Sequence, residues 1–311
     1  MHRDQVSSSS ASMNGGLSRR AFVAAASALC LTGPRMVADA AEPRPKIPVG
    51  VQLWTLRREL AEDLPGTLRQ VAEIGYAGVE LWFQKWPEPQ FLTTVLADCG
   101  LKIASAHVNL KDMLEDFPRL RDYHQAIGNT TLVIPYIPDF AKLTPDGWRK
   151  TIDDLRLAAR AGRDAGFSVL YHNHDFEFTT RVGDVEVFDL IFGTIEEKLL
   201  GAEIDVFFVA DVGRDPVAVL RRFDGRLKRV HLKERAKPGA PFKNTELGRG
   251  TIDWDAVCAA AAAAGTEWFL VEQDCEGRPA MESIRMSHAF LRKDSPVNGT
   301  SATVFRLMSD S

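Results

Sequence analysis

From Ile47 onward, short β-branched runs alternate with stretches of helical hydrophobic spacing, and the alternation repeats eight times. Strands separated by helix-length crossovers pair in parallel, since a tight hairpin cannot join parallel strands. The predicted strands are Val49 to Leu53, Gly78 to Trp82, Lys102 to His107, Thr131 to Pro135, Ser168 to His174, Ala202 to Val206, Arg229 to Lys233 and Trp268 to Gln273. Helices are predicted between them, among others over Leu64 to Ile74, Gln90 to Cys99, Arg119 to Ile127, Asp146 to Ala165, Pro216 to Phe223 and Trp254 to Ala264. Several of these are followed by Gly, as at Gly75, Gly100, Gly128, Gly166, Gly225 and Gly265, the residue that most easily closes a helix in the left-handed region. Asp215-Pro216 and Asp253 read as helix starts. Eight units without a compositional break predict an α/β fold, a single (β/α)8 TIM barrel over residues 47–293. No Gly-rich phosphate fingerprint follows the first strand, which weighs against a doubly wound dinucleotide-binding sheet.

The 311 residues exceed the roughly 250 of a bare barrel, and the excess lies at the two ends. Residues 1–41 contain Ser18-Arg19-Arg20-Ala21-Phe22-Val23, an apolar stretch from Ala24 to Leu31, and Ala38-Asp39-Ala40 before Ala41. A basic segment, a short apolar segment and an A-x-A site in that order form an export signal, and the paired arginines resemble a twin-arginine signal. The mature protein is expected in the periplasm or otherwise exported, with the export machinery as a transient partner and no stable membrane insertion, because no stretch is long and apolar enough to span a bilayer. Residues 294–311, beginning near Ser295-Pro296, read as a C-terminal tail. A formal charge of -4 gives no overall attraction to phosphate backbones, so nucleic acid is not expected as a partner. Cys30, Cys99, Cys258 and Cys275 are too few and too scattered for a disulfide framework or a CxxC metal site.

Reactive groups of such barrels lie at the C-terminal ends of the strands. Those ends carry Gln52 and Trp54, Glu80 and Trp82, His107, His172 and His174, Asp205, His231 and Lys233, and Glu272 and Asp274. Of the seven histidines, four fall at strand ends, while His124 and His288 fall in helices and His2 in the signal. Imidazole and carboxylate suit a borderline or hard divalent ion, and His172, Asp205, His231 and Glu272 offer two of each from four successive strands. Period-two alternation places His172 with His174, and His231 with Lys233, on one strand face.

Tyr171-His172-Asn173-His174-Asp175-Phe176-Glu177-Phe178, Ile204-Asp205, Gly213-Arg214-Asp215-Pro216, Val230-His231-Leu232-Lys233-Glu234, Leu247-Gly248-Arg249-Gly250-Thr251-Ile252-Asp253 and Val271-Glu272-Gln273-Asp274 resemble the successive motifs of the xylose-isomerase-like sugar phosphate isomerase/epimerase family. Gly78-Val79-Glu80-Leu81 and Ala106-His107 are similar to its strands 2 and 3. The resemblance implies one divalent ion, manganese first and Co, Mg, Zn or Fe as alternatives, held by His172, Asp205, His231 and Glu272. The family's commoner residue at the first of these positions is Glu, so one of the two carboxylates that shuttle a proton in its epimerases is imidazole here. Phe208 stands where some epimerases carry a substrate-binding His.

The function implied is a metal-dependent isomerisation or epimerisation through an enediolate, on an unphosphorylated sugar or keto-sugar. Glu272, His172 and Glu177 are the candidate proton acceptors, and Glu80, His107, His174, Lys233 and Trp54 the candidate substrate contacts. Lys233 could instead pair with Glu234 or another carboxylate, and Trp54, Trp82 and Phe208 could stack on a sugar face or pack in the core. Two alternatives stand beside this reading. Relatives with His-Asn-His on strand 5 look similar to lyases or hydratases of 3-keto-glycosides, and a non-catalytic sugar-binding barrel would use the same mouth without a metal.

Overall fold

The structure, a computed structural model, describes residues 47–275 and 277–292. The expected signal at 1–41 and the tail at 294–311 lie outside the described residues. Eight parallel strands close a barrel in sequential order: β1 (Val49–Gln52), β2 (Gly78–Leu81), β3 (Lys102–His107), β4 (Thr131–Ile134), β5 (Ser168–His172), β6 (Gly201–Asp205), β7 (Leu227–Leu232) and β8 (Trp268–Val271), which pairs back on β1. This is the (β/α)8 barrel expected from the eightfold alternation.

Outward side chains of the strands, such as Val51, Val79, Leu132, Tyr171, Ile204, Val230 and Phe269, are buried against helix residues such as Leu68, Leu92, Leu155 and Ile284. Each such side chain contributes about 1.5–3 kcal/mol on removal from water, so this shell between strands and helices carries the fold. The barrel interior is narrower. Gly50 and Gly78 keep it open to packing: a Cβ on Gly50 would lie 2.9 Å from Gly78 O and 3.0 Å from Leu270 Cδ2. Arg229 crosses the N-terminal end, donating to Ala104 O (2.9 Å) and to Glu267 Oε2 (2.7 Å).

Several strands end earlier than the sequence suggests, and each early end has a local cause. After Gln52 the chain turns into the 3-10 helix Leu53–Leu56, whose first turn is capped by Gln52 Oε1 accepting from Trp54 N–H (2.9 Å). β5 stops at His172 because the side chain of Asn173 takes over the ladder to β6. It accepts from Asp205 N–H (3.1 Å) and donates to Asp205 O (3.3 Å). Asp215 and Asp253 cap their helices as expected, accepting from Val217 N–H and Ala256 N–H. Among the described residues no helix is long and apolar enough to cross a membrane. Cys99, Cys258 and Cys275 are free thiols, and Cys258 is fully buried as a small apolar side chain.

Candidate active site

The polar side chains inside the barrel form two tiers. In the deeper tier two carboxylates share the same two imidazole nitrogens. Glu80 Oε1 lies 2.9 Å from His107 Nε2 and 2.8 Å from His231 Nε2. Glu203 Oε1 lies 3.0 Å from each of the same two nitrogens and 3.1 Å from His172 Nδ1. Gln52 and Ser105 donate to the two oxygens of Glu80. Beside each carboxylate the neighbouring strand carries one extra residue, Ala104 on β3 opposite the Val79–Glu80 step and Lys228 on β7 opposite the Ala202–Glu203 step. Bulges of this kind cluster next to active sites.

The upper tier is at the mouth. Asp205, the last residue of β6, is in register with His231 on β7. His231 Nδ1 lies 3.0 Å from Glu272 Oε2. Lys233 Nζ donates to Glu272 Oε1 (3.1 Å) and to Asp274, joining the ends of β7 and β8. Asp205 Oδ1 accepts from Phe207 N–H (2.8 Å), while its Oδ2 is buried without a partner. His174 stands beside Phe208 with ring centroids 4.6 Å apart, and its Nδ1 also lacks a partner.

Burial disfavours charge on every one of these groups, and their neighbours decide the outcome. Burial opposes protonation of His107 and His231, but Glu80 and Glu203 overcome it, raising His107 to about 9 and His231 well above the ordinary imidazole range. His172 goes the other way. Burial, reinforced by the nearby His231, lowers it to about 4, so its ring is neutral at neutral pH. Glu203 is held ionised against its burial by His231, His107 and His172. Glu272 is held ionised against its burial by Lys233 and His231. Asp205 is raised to about 7 by burial, with Lys233 opposing and Glu272 reinforcing the shift.

The donors fit a divalent cation. His107, His172, Glu203 and His231 present ligand atoms that all lie within 4.8 Å of one another, as do Asp205, His231 and Glu272. The four residues the resemblance implies as one ligand set are therefore divided. His231 belongs to both groups, His172 falls with the deeper one, and Asp205 and Glu272 with the upper one. Glu203 was not singled out from the sequence, although it lies two residues before Asp205 and so on the same strand face.

Glu80, His107, His174 and Lys233 all reach the barrel interior or its mouth, and Lys233 pairs with Glu272 and Asp274 rather than with Glu234. Glu234 instead accepts from the backbone N–H groups of Gly248, Thr251 and Ile252 and from Trp254 Nε1, which makes the Gly248-Arg249-Gly250-Thr251 motif a structural loop. Glu177, a candidate proton acceptor from the sequence, stands apart from both tiers. It is fully buried, accepting from Tyr171 O–H (2.7 Å) and His174 N–H (2.8 Å), and so braces the chain after β5. Tyr171 points outward from the barrel, and Glu177 follows it there because the short helix Phe176–Thr179 folds back over the strand. Trp54 packs edge-on against Trp82 (4.6 Å) under the Arg57 guanidinium (4.3 Å) and lines a cavity of about 730 Å³ beside the mouth.

Comparison with known proteins agrees with this architecture. An inosose dehydratase from Clostridium botulinum (strain Alaska E43 / Type E3) is 22% identical over 67% of this chain and 80% of its own. A solved sugar phosphate isomerase/epimerase from Parabacteroides distasonis ATCC 8503 superposes with a TM-score of 0.67 at 22% identity, covering 81% of this chain and 97% of the other. An IOLI protein solved with a bound zinc atom superposes at 0.62 with 16% identity, over 78% and 96% of the two chains. Residues 68–294 match the xylose isomerase-like TIM barrel family, and the chain belongs to that family.

Proposed function

We propose that this chain is a metal-dependent lyase that removes the proton next to the carbonyl of an unphosphorylated keto-sugar or keto-cyclitol and expels an oxygen substituent from the following carbon. The observation that carries this reading is an unequal pair, Glu272 at the mouth and His172 in the deeper tier. Glu272 is held ionised by Lys233, whereas His172, at the position where the family resemblance implies an opposing carboxylate, is neutral and already engaged with Glu203. One ionised carboxylate at the mouth, with the imidazole engaged by Glu203, suits a single proton removal. Epimerisation needs a second free acceptor on the other face.

Asp205 supplies the complementary acid. Its value of about 7 leaves a large protonated fraction at neutral pH, and its unpartnered Oδ2 has a proton to give. In the balanced step Glu272 takes the α-proton, the C–H electron pair becomes the new double bond, the C–O bond breaks, and Asp205 protonates the departing oxygen. Lys233 keeps Glu272 ionised beforehand and stabilises its orientation. A bound divalent ion would act as a Lewis acid on the substrate's carbonyl oxygen. Lys233, the cation at the mouth, is already balanced by two carboxylates, which disfavours a phosphate ester there. The inosose dehydratase relatives support an elimination of this kind, and a Mn-loaded enzyme is the first form to assay.

The test is incubation of metal-loaded protein with 3-keto-glycosides and keto-cyclitols in deuterium oxide. Release of an unsaturated ketone with the alcohol or water is expected, and Glu272→Gln should lower turnover by about 10²–10⁴-fold. Deuterium exchange with epimer or aldose–ketose interconversion and no elimination would replace this reading by the isomerase/epimerase one. Binding of sugar with neither reaction would leave a sugar-binding barrel.

A further inference from the structure

The cavity of about 730 Å³ beside the mouth takes no part in the proton transfers. It lies between the helical turns that follow β1, Leu53–Leu56 and Arg57–Glu62, and the loop that follows β2. Trp54, Trp82 and Phe83 give it flat aromatic walls. Arg57, Arg58 and Lys85 are the charged residues lining it, and no carboxylate does. Its size falls in the range of pockets that hold a small organic ligand, about 300–1,000 Å³.

Two of the three cations are unbalanced. Arg57 is committed, since its guanidinium lies over the Trp54 ring (4.3 Å) and its Nη1 donates to Trp54 O (2.8 Å). Arg58 on the helix and Lys85 on the loop are exposed and make no ion pair among the described residues. The mouth differs, because Lys233 there is balanced by Glu272 and Asp274. An anion entering the cavity therefore meets cations without a counter-charge, and charge-assisted hydrogen bonds are about twice as strong as neutral ones. The two tryptophans meet edge to face at 4.6 Å and 88°, which leaves Trp82 at least one ring face outside that contact. A planar ring stacked on it gains more than its buried area alone supplies.

Both tryptophans also adjoin the barrel interior. Gln52 accepts from Trp54 N–H (2.9 Å) and donates to Glu80 Oε1 (2.5 Å). Trp82, two residues after Glu80, lines a second recess, of about 90 Å³, that reaches His107. Trp82 therefore borders both the interior and the cavity.

We propose that this cavity binds an aromatic carboxylate, its ring on Trp82 and its carboxylate between Arg58 and Lys85, as the group carried on the oxygen that leaves. The link to the leaving oxygen rests on the proposed elimination; the binding itself does not.

Isothermal titration calorimetry of the full, Mn(II)-loaded chain tests it with 4-hydroxybenzoate, the neutral 4-hydroxybenzamide and inorganic phosphate. The acid should bind about tenfold more tightly than the amide, and joint Arg58→Gln and Lys85→Gln should remove that advantage while leaving amide affinity unchanged. Ala61→Trp, which fills the cavity from an exposed helix position, should weaken both aromatic ligands. Equal binding of acid and amide, an advantage that survives the double substitution, or phosphate bound as tightly as the acid overturns the proposal. Should the double variant misfold, raised salt on the wild type replaces it: the acid's advantage should shrink, and its persistence overturns the proposal. 4-Carboxyphenyl glucoside, unoxidised and so not eliminated, should bind about tenfold more tightly than methyl glucoside. Equal binding of these two overturns the link to the leaving group. Absence of elimination from every keto-sugar would defeat the proposed function and leave all these affinities as they are.

Discussion

His172 and Glu203 are register partners on β5 and β6, with His172 Nδ1 3.1 Å from Glu203 Oε1. The carboxylate that the family resemblance implies at position 172 is absent, and a carboxylate stands instead on the adjoining strand. The interior thus keeps an acidic group near this point, one strand over and level with position 172. That exchange leaves a neutral imidazole at the position where the resemblance implies a second carboxylate.

Glu177 predicts a pH dependence of stability. Burial raises its carboxyl from 4.5 to about 8, although hydrogen bonds from Tyr171 and His174 oppose the shift. The folded protein therefore holds a proton that the unfolded chain releases above about 4.5, so this contribution is complete below that pH and is lost as pH rises through about 8. Glu177→Gln stays neutral throughout. Its melting temperature relative to wild type should be higher at pH 9 than at pH 5, by roughly 2–4 °C for each kcal/mol recovered. Thermal melts by circular dichroism check this, and an identical difference at both pH values refutes it.

Gly250 predicts a packing cost remote from the chemistry. A Cβ there would run into Arg235 O and Glu234 Oε1, the carboxylate that ties the loop after β7 to Trp254. Gly250→Ala should destabilise the fold by about 1–3 kcal/mol, as overpacking does. Metal content should be unchanged at low temperature. Denaturant melts beside metal analysis test the pair of expectations, and loss of metal from a folded variant would tie the loop to the site.

The export signal expected within residues 1–41 yields a prediction outside the barrel. In a purely electrostatic signal Arg19-Arg20→Lys-Lys would preserve function, since charge is kept. In a twin-arginine signal the double substitution should abolish delivery. Cell fractionation measures it, and unchanged periplasmic delivery would remove the twin-arginine reading.

The sequence by itself determined the barrel and the positions of its reactive ends. Eight repeats of a period-two strand followed by a helix leave parallel closure as the way to bury the strand faces, and alternation puts His172, His231 and Lys233 on the inner side. What the tertiary structure decided is which inner residues meet. Glu80 and Glu203 are 123 positions apart and reach the same two imidazole nitrogens only because the closed barrel brings their strands around one interior. Glu177 shows the converse. Its place in the His-Asn-His-Asp-Phe-Glu run suggests chemistry, but the chain folds back after Asn173 and buries it behind β5 against Tyr171. Local spacing fixes the side of a strand on which a residue stands; strand register and the paths of loops fix its neighbours, and neither is written in any one segment.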